Sequence, residues 1–313
     1  MTRTDSTFDS SGVRCSAWHF AGQGDAFAGP EGRPVVVMGH GFGGTKDSGL
    51  EPFAERISAA GVDVFAFDYR GFGASEGTPR QTVSVAAQIG DFGAAIAAAR
   101  RLPGVDAKRV VLWGSSMSGG HVVRVAADDA DIAGVIAMTP LTSGVAVSRA
   151  AVEHRDVGQA LKWTVVGLKS RVDVARGGNP TLMPLVAHPG EPGALALDGA
   201  YESYTAMAGP TWRNEVDSAV GLQIASIRTA DAAKRLRCPL LIQVADFDRY
   251  VPAESVMKTA VLGRGEVHHY PCDHFDVWPG HDWFEKAAAD QVAFLSRAVS
   301  TSSNPDRLKS LQR

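Results

Sequence analysis

Cysteine is scarce in this chain of 313 residues, and its three cysteines, Cys15, Cys238 and Cys272, lie far apart in the sequence. An odd and widely spaced set excludes a disulfide framework and a thiolate metal site, and free thiols are typical of a reducing compartment. The first nine residues contain no apolar segment like that of a secretory signal. We therefore expect a cytoplasmic protein that binds no metal ion.

Long apolar runs and blocks of like charge are absent as well. No apolar stretch approaches the length of about 20 residues that crosses a bilayer, and no five consecutive residues are basic. The formal charge is −3 and the isoelectric point is about 6.3. These features argue against a nucleic acid or a membrane as partner. With 45% apolar and 21% charged residues, the composition predicts one large globular core.

What the chain does contain is a regular alternation of buried-strand and helix patterns, which is typical of βαβ units and a mostly parallel sheet. We expect residues 1–10 and the tail from Ser300 onward to be loosely ordered. The predicted strands are Val13–Phe20, Pro34–Met38, Val62–Phe67, Val110–Trp113, Ile132–Met138, Pro239–Val244 and Val267–Tyr270. The predicted helices of this part are Leu50–Ala60, Arg80–Arg101, Ser116–Ala127 and Trp283–Val299.

The alternation stops between residues 139 and 238, where helical stretches at 160–172 and 219–227 mix with Gly/Pro-rich loops. We interpret this insertion as a helical cap on a core formed by residues 1–138 and 239–313. Its large apolar side chains are candidates for a substrate pocket, although packing inside the cap is the commoner role of any one of them. The candidates are Leu161, Trp163, Leu168, Met183, Tyr201, Tyr204, Met207 and Trp212.

The segment Arg109–Gly120, Arg-Val-Val-Leu-Trp-Gly-Ser-Ser-Met-Ser-Gly-Gly, carries the most chemical information. A buried strand runs into a turn of small residues and then a helix, with Ser116 at the bend. This arrangement predicts a nucleophile elbow, whose usual pattern is G-x-S-x-G. Here Ser118 occupies the last position. The alternatives are a phosphate-binding turn or a plain connector, but no lysine follows the glycines as a Walker loop requires.

A serine nucleophile needs a base and a carboxylate that orients the base, and parallel sheets place such groups at the carboxyl ends of strands. Asp246 and Asp248 follow one predicted strand, and His274 follows the next. We favour Asp248 as the acid, although either aspartate is also suited to capping a loop or helix. His268 and His269 fall within the strand, where a structural role is the simpler interpretation.

The glycine-rich segment His40–Gly44 follows another predicted strand. Acyl transfer needs N–H donors for the developing oxyanion, and the backbone of Phe42 and Met117 is placed to supply them. A tight turn is the alternative interpretation.

Together these segments resemble the α/β-hydrolase superfamily from about residue 13 to residue 298. Asp68–Gly77, Asp-Tyr-Arg-Gly-Phe-Gly-Ala-Ser-Glu-Gly, also resembles a signature of that superfamily, and we give it a structural role. The resemblance is closest to dienelactone-hydrolase-like and dipeptidyl-peptidase-like serine hydrolases, and the elbow is also similar to that of polyketide acyltransferases. It implies an α/β fold with an eight-stranded, mostly parallel sheet, helices on both faces and a helical cap insertion.

The resemblance further implies Ser116 as nucleophile, His274 as general base and Asp248 as its orienting acid. It favours cleavage of a carboxylic ester or thioester through an acyl-serine, without a cofactor, with an apolar small-molecule acyl compound as the substrate. An acyltransferase with the same triad is the second hypothesis, and a weakly active binding protein on the same scaffold is the third. We expect the insertion to determine substrate range and to contribute no residue to the chemistry.

Overall fold

The computed structural model describes residues 3–153 and 157–300, with side chains for residues 3–150 and 161–300. Ten strands and ten helices occur in these residues. The strands are β1 Arg3–Ser10, β2 Val13–Phe20, β3 Arg33–Gly39, β4 Asp63–Phe67, β5 Val105–Ser115, β6 Ile132–Met138, β7 Leu182–Met183, β8 Val216–Asp217, β9 Leu240–Ala245 and β10 Glu266–Tyr270. The helices are α1 Leu50–Ala59, α2 Val85–Ala99, α3 Met117–Asp128, α4 Gly144–Glu153, α5 Val157–Ala175, α6 Ala200–Met207, α7 Val220–Ile224, α8 Ala230–Arg235, α9 Ala253–Leu262 and α10 Phe284–Ala298.

Eight of these strands form one sheet in the order β1-β2-β4-β3-β5-β6-β9-β10. β1 and β2 run antiparallel at one edge, and the strands from β4 to β10 pair in parallel. Parallel strands need both faces covered, and every residue of β4 and β9 is buried. On one face α1 packs against α10, and on the other α2, α3, α8 and α9 form a continuous layer. The predicted eight-stranded sheet with helices on both faces is thus confirmed.

The prediction that residues 1–10 are loosely ordered is wrong for β1. This strand pairs with β2 along its whole length, from Arg3 opposite Phe20 to Ser10 opposite Val13. Only Phe8 and Ser10 among its side chains are buried. The polar composition that suggested disorder is the composition of an exposed edge strand. The tail from Ser300 onward is also predicted to be loosely ordered. Residues 301–313 of this tail lie outside the described part of the chain.

The insertion lies between β6 and β9 and contains α4 to α8 and the short antiparallel pair β7–β8. Helices α4 and α5 both contact α7, so these elements pack on one another. Helix α8 instead contacts α3 and α9 of the sheet's helix layer. The exact division into core and cap stays a prediction.

Candidate active site

Ser116 is the residue at which β5 turns into α3. Its φ of 51° and ψ of −116° are an unusual backbone conformation for a residue with a side chain. Backbone hydrogen bonds on both sides hold it there. The Ser116 N–H donates to the Met138 carbonyl at 2.9 Å, and the Ser116 carbonyl accepts the N–H groups of Leu141 at 2.7 Å and Gly120 at 3.3 Å. The bend leaves no room beside it, since a Cβ on Gly114 would lie 2.3 Å from the Ser118 carbonyl oxygen. The strand–turn–helix geometry predicted for this segment is therefore present.

Ser118, which replaces the usual glycine of the elbow pattern, is fully buried and has hydrogen-bond partners. Its hydroxyl donates to the His40 carbonyl. Because a hydroxyl has one proton, the 2.5 Å contact with Tyr69 must be a bond that the Tyr69 hydroxyl donates to Ser118. Burial raises the pKa of the Tyr69 phenol well above its usual value, so it stays protonated. The extra hydroxyl thus links the elbow to the segment His40–Gly44, which we call the oxyanion loop.

Asp248 and His274 form a buried pair. The Nδ1 atom of His274 lies 2.6 Å from Oδ2 of Asp248, and the two side chains are 6% and 4% exposed. The other carboxylate oxygen of Asp248 accepts the N–H groups of Tyr250 and Val251, each at 2.8 Å. Asp248 is in the turn after β9 and His274 in the turn after β10, as predicted from the sequence. These two turns bring the imidazole and the carboxylate together.

The pKa of His274 is set by opposing effects. Burial lowers it, because the low-dielectric interior disfavours the charged ring. The charge of Asp248, the hydrogen bond to it and the charge of Asp273 raise it, and together they outweigh burial, so the pKa of His274 is above its usual value. A raised pKa makes this imidazole a stronger base than a free histidine side chain.

Asp246, the alternative acid, has a different partner. Its carboxylate lies 2.6 Å from Nδ1 of His269, and both side chains are partly exposed. The second strand histidine, His268, lies between the carboxylates of Glu266 and Asp290 at 2.8 and 3.0 Å. These contacts agree with the structural role predicted for both strand histidines.

The oxyanion loop lies directly against the nucleophile elbow. A Cβ on Gly41 would be 3.2 Å from the Cβ of Ser116. Phe42 follows Gly41, and Met117 is the first residue of α3, where backbone N–H groups have no partner within the helix. The two predicted donors are therefore on the two segments that flank Ser116.

A small pocket of about 30 Å³ contains Ser116 and His274 in its lining. It adjoins a larger cavity of about 570 Å³ between the sheet and the insertion, and Phe42 and Leu195 line both spaces. Of the apolar candidates in the insertion, Trp163 and Met183 line the larger cavity, and Tyr204 and Met207 line the small pocket.

The remaining four apolar candidates lie elsewhere. Leu161 and Leu168 are exposed, Tyr201 packs on the His188 ring, and Trp212 stacks on Tyr204. The sequence did not single out Leu195, nor Arg249 and Tyr250 of the turn after β9, which also line the larger cavity. Only the fold brings these residues together, so no local pattern identifies them.

Among the side chains of residues 3–150 and 161–300, no group of three or more His, Cys, Asp or Glu is arranged to hold a metal ion. In residues 3–153 and 157–300, no helix has both the length and the apolar composition needed to span a membrane.

Comparison with known families gives the family of this chain. Residues 30–271 match the family model described as "Serine aminopeptidase, S33", a group of α/β hydrolases. The chain belongs to this family. It is an α/β-hydrolase-fold enzyme, as the ordered motifs of the sequence predicted.

Individual relatives agree with the family assignment. The quorum-quenching protein AidA of Acinetobacter baumannii is 36% identical to this hydrolase over 298 residues, which cover 94% of this chain and 95% of the relative. The thiohydrolase aneE of Aspergillus aculeatus and the polyketide transferase af380 of Aspergillus fumigatus are 31% and 30% identical. Each of these two matches covers about half of either protein.

A solved structure shows the same fold over nearly the whole length. The crystal structure of the α/β hydrolase GrgF from Penicillium superposes with a TM-score of 0.78 and covers 96% of this chain and 99% of that one. Its sequence identity is 22%, so the comparison shows the fold alone.

Proposed function

We propose that this enzyme is a serine hydrolase that cleaves a carboxylic ester or thioester through an acyl-serine intermediate. The observation that supports this most strongly is the buried pair of His274 and Asp248, whose histidine lines the same small pocket as the strained Ser116. A nucleophile, a base and an orienting acid are the groups that acyl transfer to serine requires.

Each residue of the site has a distinct role in this reaction. His274 takes the proton of the Ser116 hydroxyl as that oxygen attacks the carbonyl carbon, and later returns it to the leaving group. Asp248 holds the imidazole in the tautomer with the proton on Nδ1 and stabilises the imidazolium that forms. The N–H groups of Phe42 and Met117 stabilise the oxyanion of the tetrahedral intermediate. Water then attacks the acyl-serine by the same route, which frees the acid.

The larger cavity supports a medium-sized apolar acyl group as the substrate portion. Its volume of about 570 Å³ is within the range of about 300 to 1,000 Å³ typical of small-molecule sites. Apolar side chains such as Trp163, Met183 and Ile224 line it. The name of one relative, a thiohydrolase, supports including thioesters among the substrates.

Labelling with a fluorophosphonate probe, together with an ester and thioester series, tests the proposal. We expect the wild-type protein to be labelled and Ser116→Ala to be neither labelled nor active. Ser115→Ala is the matched control, because Ser115 is the adjacent buried serine and should leave labelling intact. A Ser116→Ala protein labelled at the wild-type rate would refute the assignment, and an unlabelled wild type would favour a binding protein.

Acyl transfer to another acceptor is the second candidate, supported by the similarity to a polyketide transferase over half of the chain. The two functions share the acyl-serine and differ in the group that attacks it. Adding alcohol or amine acceptors to the thioester assay distinguishes them. Free acid as the sole product supports hydrolysis, and an ester or amide product formed at millimolar acceptor supports the transferase.

A further inference from the structure

The oxyanion loop is held not only by the core but also by the insertion. We propose that Tyr204, a residue of the insertion, is a positioning residue that fixes the oxyanion loop for catalysis. This inference rests on the proposed function, and it departs from the expectation that the insertion contributes nothing to the chemistry. It concerns one contact, between the Tyr204 hydroxyl and the backbone of Phe42.

That contact is short and buried. Tyr204 lies on α6 with 5% of its surface exposed, and its hydroxyl donates to the Phe42 carbonyl oxygen at 2.6 Å. The Phe42 N–H is the proposed oxyanion donor. The Phe42 carbonyl belongs to the next peptide unit, so fixing it fixes the rotation of the backbone on the far side of the Phe42 Cα. The unit with the Phe42 N–H joins it at the Phe42 Cα, and its own carbonyl, that of Gly41, is held by His40, so both planes next to this Cα are restrained.

The Tyr204 bond is one of three similar hydrogen bonds along the oxyanion loop. The carbonyls of three successive residues of the oxyanion loop each accept a side-chain donor. His40 is bonded by the Ser118 hydroxyl, and Gly41 by Nδ1–H of His40 at 2.9 Å. Phe42 is bonded by Tyr204. Two of the three donors come from the core and the third from the insertion, so the direction of the Phe42 N–H depends on both parts of the chain.

The Tyr204 hydroxyl has no spare proton for a direct catalytic role. A phenol has one proton, and here it is donated to Phe42. Burial raises the pKa of Tyr204 above its usual value, so the hydroxyl does not ionise near neutral pH. Its proton is not available to the substrate oxygen, and its effect on catalysis must pass through the backbone of Phe42.

The glycines of the oxyanion loop make room for this contact. A Cβ on Gly44 would lie 3.2 Å from the Tyr204 hydroxyl oxygen, and one on Gly43 would lie 2.6 Å from Leu185 Cδ1. Both neighbours belong to the insertion. The sequence shows only a glycine-rich turn, whereas the structure shows a turn shaped to receive α6 and the residues around it.

Two hydrogen bonds from backbone N–H groups to core side chains anchor the segment that follows α6 beside the oxyanion loop. The Thr211 N–H donates to the Asp47 carboxylate at 2.9 Å, and the Gly209 N–H donates to the Ser48 hydroxyl at 3.2 Å. Tyr204 is therefore carried on a segment attached at several points beside the oxyanion loop. The conformational entropy lost in ordering this segment is therefore offset by several contacts and not by the Tyr204 bond alone.

Steady-state kinetics of Tyr204→Phe provides the main test, with Tyr201→Phe as the matched control on the same helix. The phenylalanine keeps the ring stacked on Trp212 and removes only the hydroxyl. Losing an oxyanion donor outright costs roughly 10²- to 10³-fold in kcat. Since the donor here is loosened and not removed, we expect Tyr204→Phe to lose about 10- to 100-fold in kcat. KM should change less than about twofold, and the loss should be equal for acetyl and longer acyl substrates.

A second variant tests the same bond from the other side. Gly44→Ala places a methyl group against the Tyr204 hydroxyl, and we expect it to lower kcat in the same way. If both variants act through one hydrogen bond, the double variant should lose no more than about the larger of the two single losses. Losses that multiply would contradict the shared contact.

Several results would overturn the inference. One is a Tyr204→Phe protein whose kcat equals that of Tyr201→Phe. Another is a loss confined to long-chain substrates, which would make Tyr204 a pocket residue only. A third is an equal fall in kcat and melting temperature in both tyrosine variants. These outcomes leave Ser116 labelling intact, whereas failure of the proposed function would appear as an unlabelled and inactive wild type.

Discussion

Replacing Asp248 by asparagine should nearly abolish turnover while leaving the fold intact. One carboxylate oxygen of Asp248 accepts the N–H groups of Tyr250 and Val251, and the other faces His274. An asparagine must turn its oxygen toward the two backbone donors. Its NH₂ group then faces Nδ1 of His274 and can donate only to an unprotonated nitrogen. The ring is forced into the tautomer that carries its proton on Nε2, which cannot accept the proton of Ser116.

The magnitude follows from that tautomer change. Loss of the orienting carboxylate in a serine triad costs roughly 10⁴-fold in kcat, which is about 5 kcal/mol of barrier. The two backbone bonds survive in the variant, so the free energy of unfolding should change little. Asp246→Asn is the matched control, because its partly exposed pair with His269 is worth at most about 1 kcal/mol. Its activity should stay within about twofold of wild type.

Both variants are measured on one chromogenic ester, with thermal unfolding to verify the fold. The assignment of the acid is refuted if Asp246→Asn is the slower enzyme, or if a folded Asp248→Asn retains more than about a tenth of wild-type kcat.

Three further predictions concern the base, the cavity and the core. Asp248 and Asp273 raise the pKa of His274 despite its burial, so kcat/KM should fall as the pH drops through a value above the usual histidine pKa. A flat profile of kcat/KM from pH 5 to 8 would exclude His274 as the base. Trp163→Ala or Met183→Ala, in a protein that still folds, should change the ratio of long-chain to acetyl turnover by roughly 10- to 200-fold. Acetyl turnover itself should be nearly unchanged, and equal losses on both substrates would contradict a role in the cavity. Lys46→Met should lower the free energy of unfolding by about 3–5 kcal/mol, because it leaves the buried Asp68 carboxylate without the cation it is paired with. Denaturant titration measures this change, and a loss under about 1 kcal/mol would contradict the prediction.

The sequence predicts the central sheet well, because buried parallel strands are short apolar runs with sharp ends. The parallel strand β6 matches its predicted bounds. The antiparallel strand β2 matches them too, because its apolar and polar residues alternate. Helix α2 was predicted from Arg80 but begins at Val85, where the Ser84 side chain accepts the Ala87 N–H and caps the helix. Residues 80–84, Arg-Gln-Thr-Val-Ser, contain no glycine or proline that would mark the boundary, so periodicity alone does not locate the start.

Predicting the candidate site was possible for those residues that follow strands in order. Ser116, Asp248 and His274 each lie just after the carboxyl end of a strand, and that position is readable in the chain. Tyr204 is different, since 162 residues separate it from the Phe42 carbonyl to which it is bonded. No local pattern marks such a contact, because it depends on how the insertion docks on the oxyanion loop.

A covalent acyl-enzyme on Ser116 is the most direct test of the central claim. The protein is mixed with an activated ester, quenched in acid within the first turnover and analysed by intact mass and peptide mapping. We predict an added mass equal to the acyl group, located on the peptide that carries Ser116 and absent from Ser116→Ala. Turnover of the ester with the acyl group on another residue, or with Ser116→Ala still forming the adduct, would contradict the account.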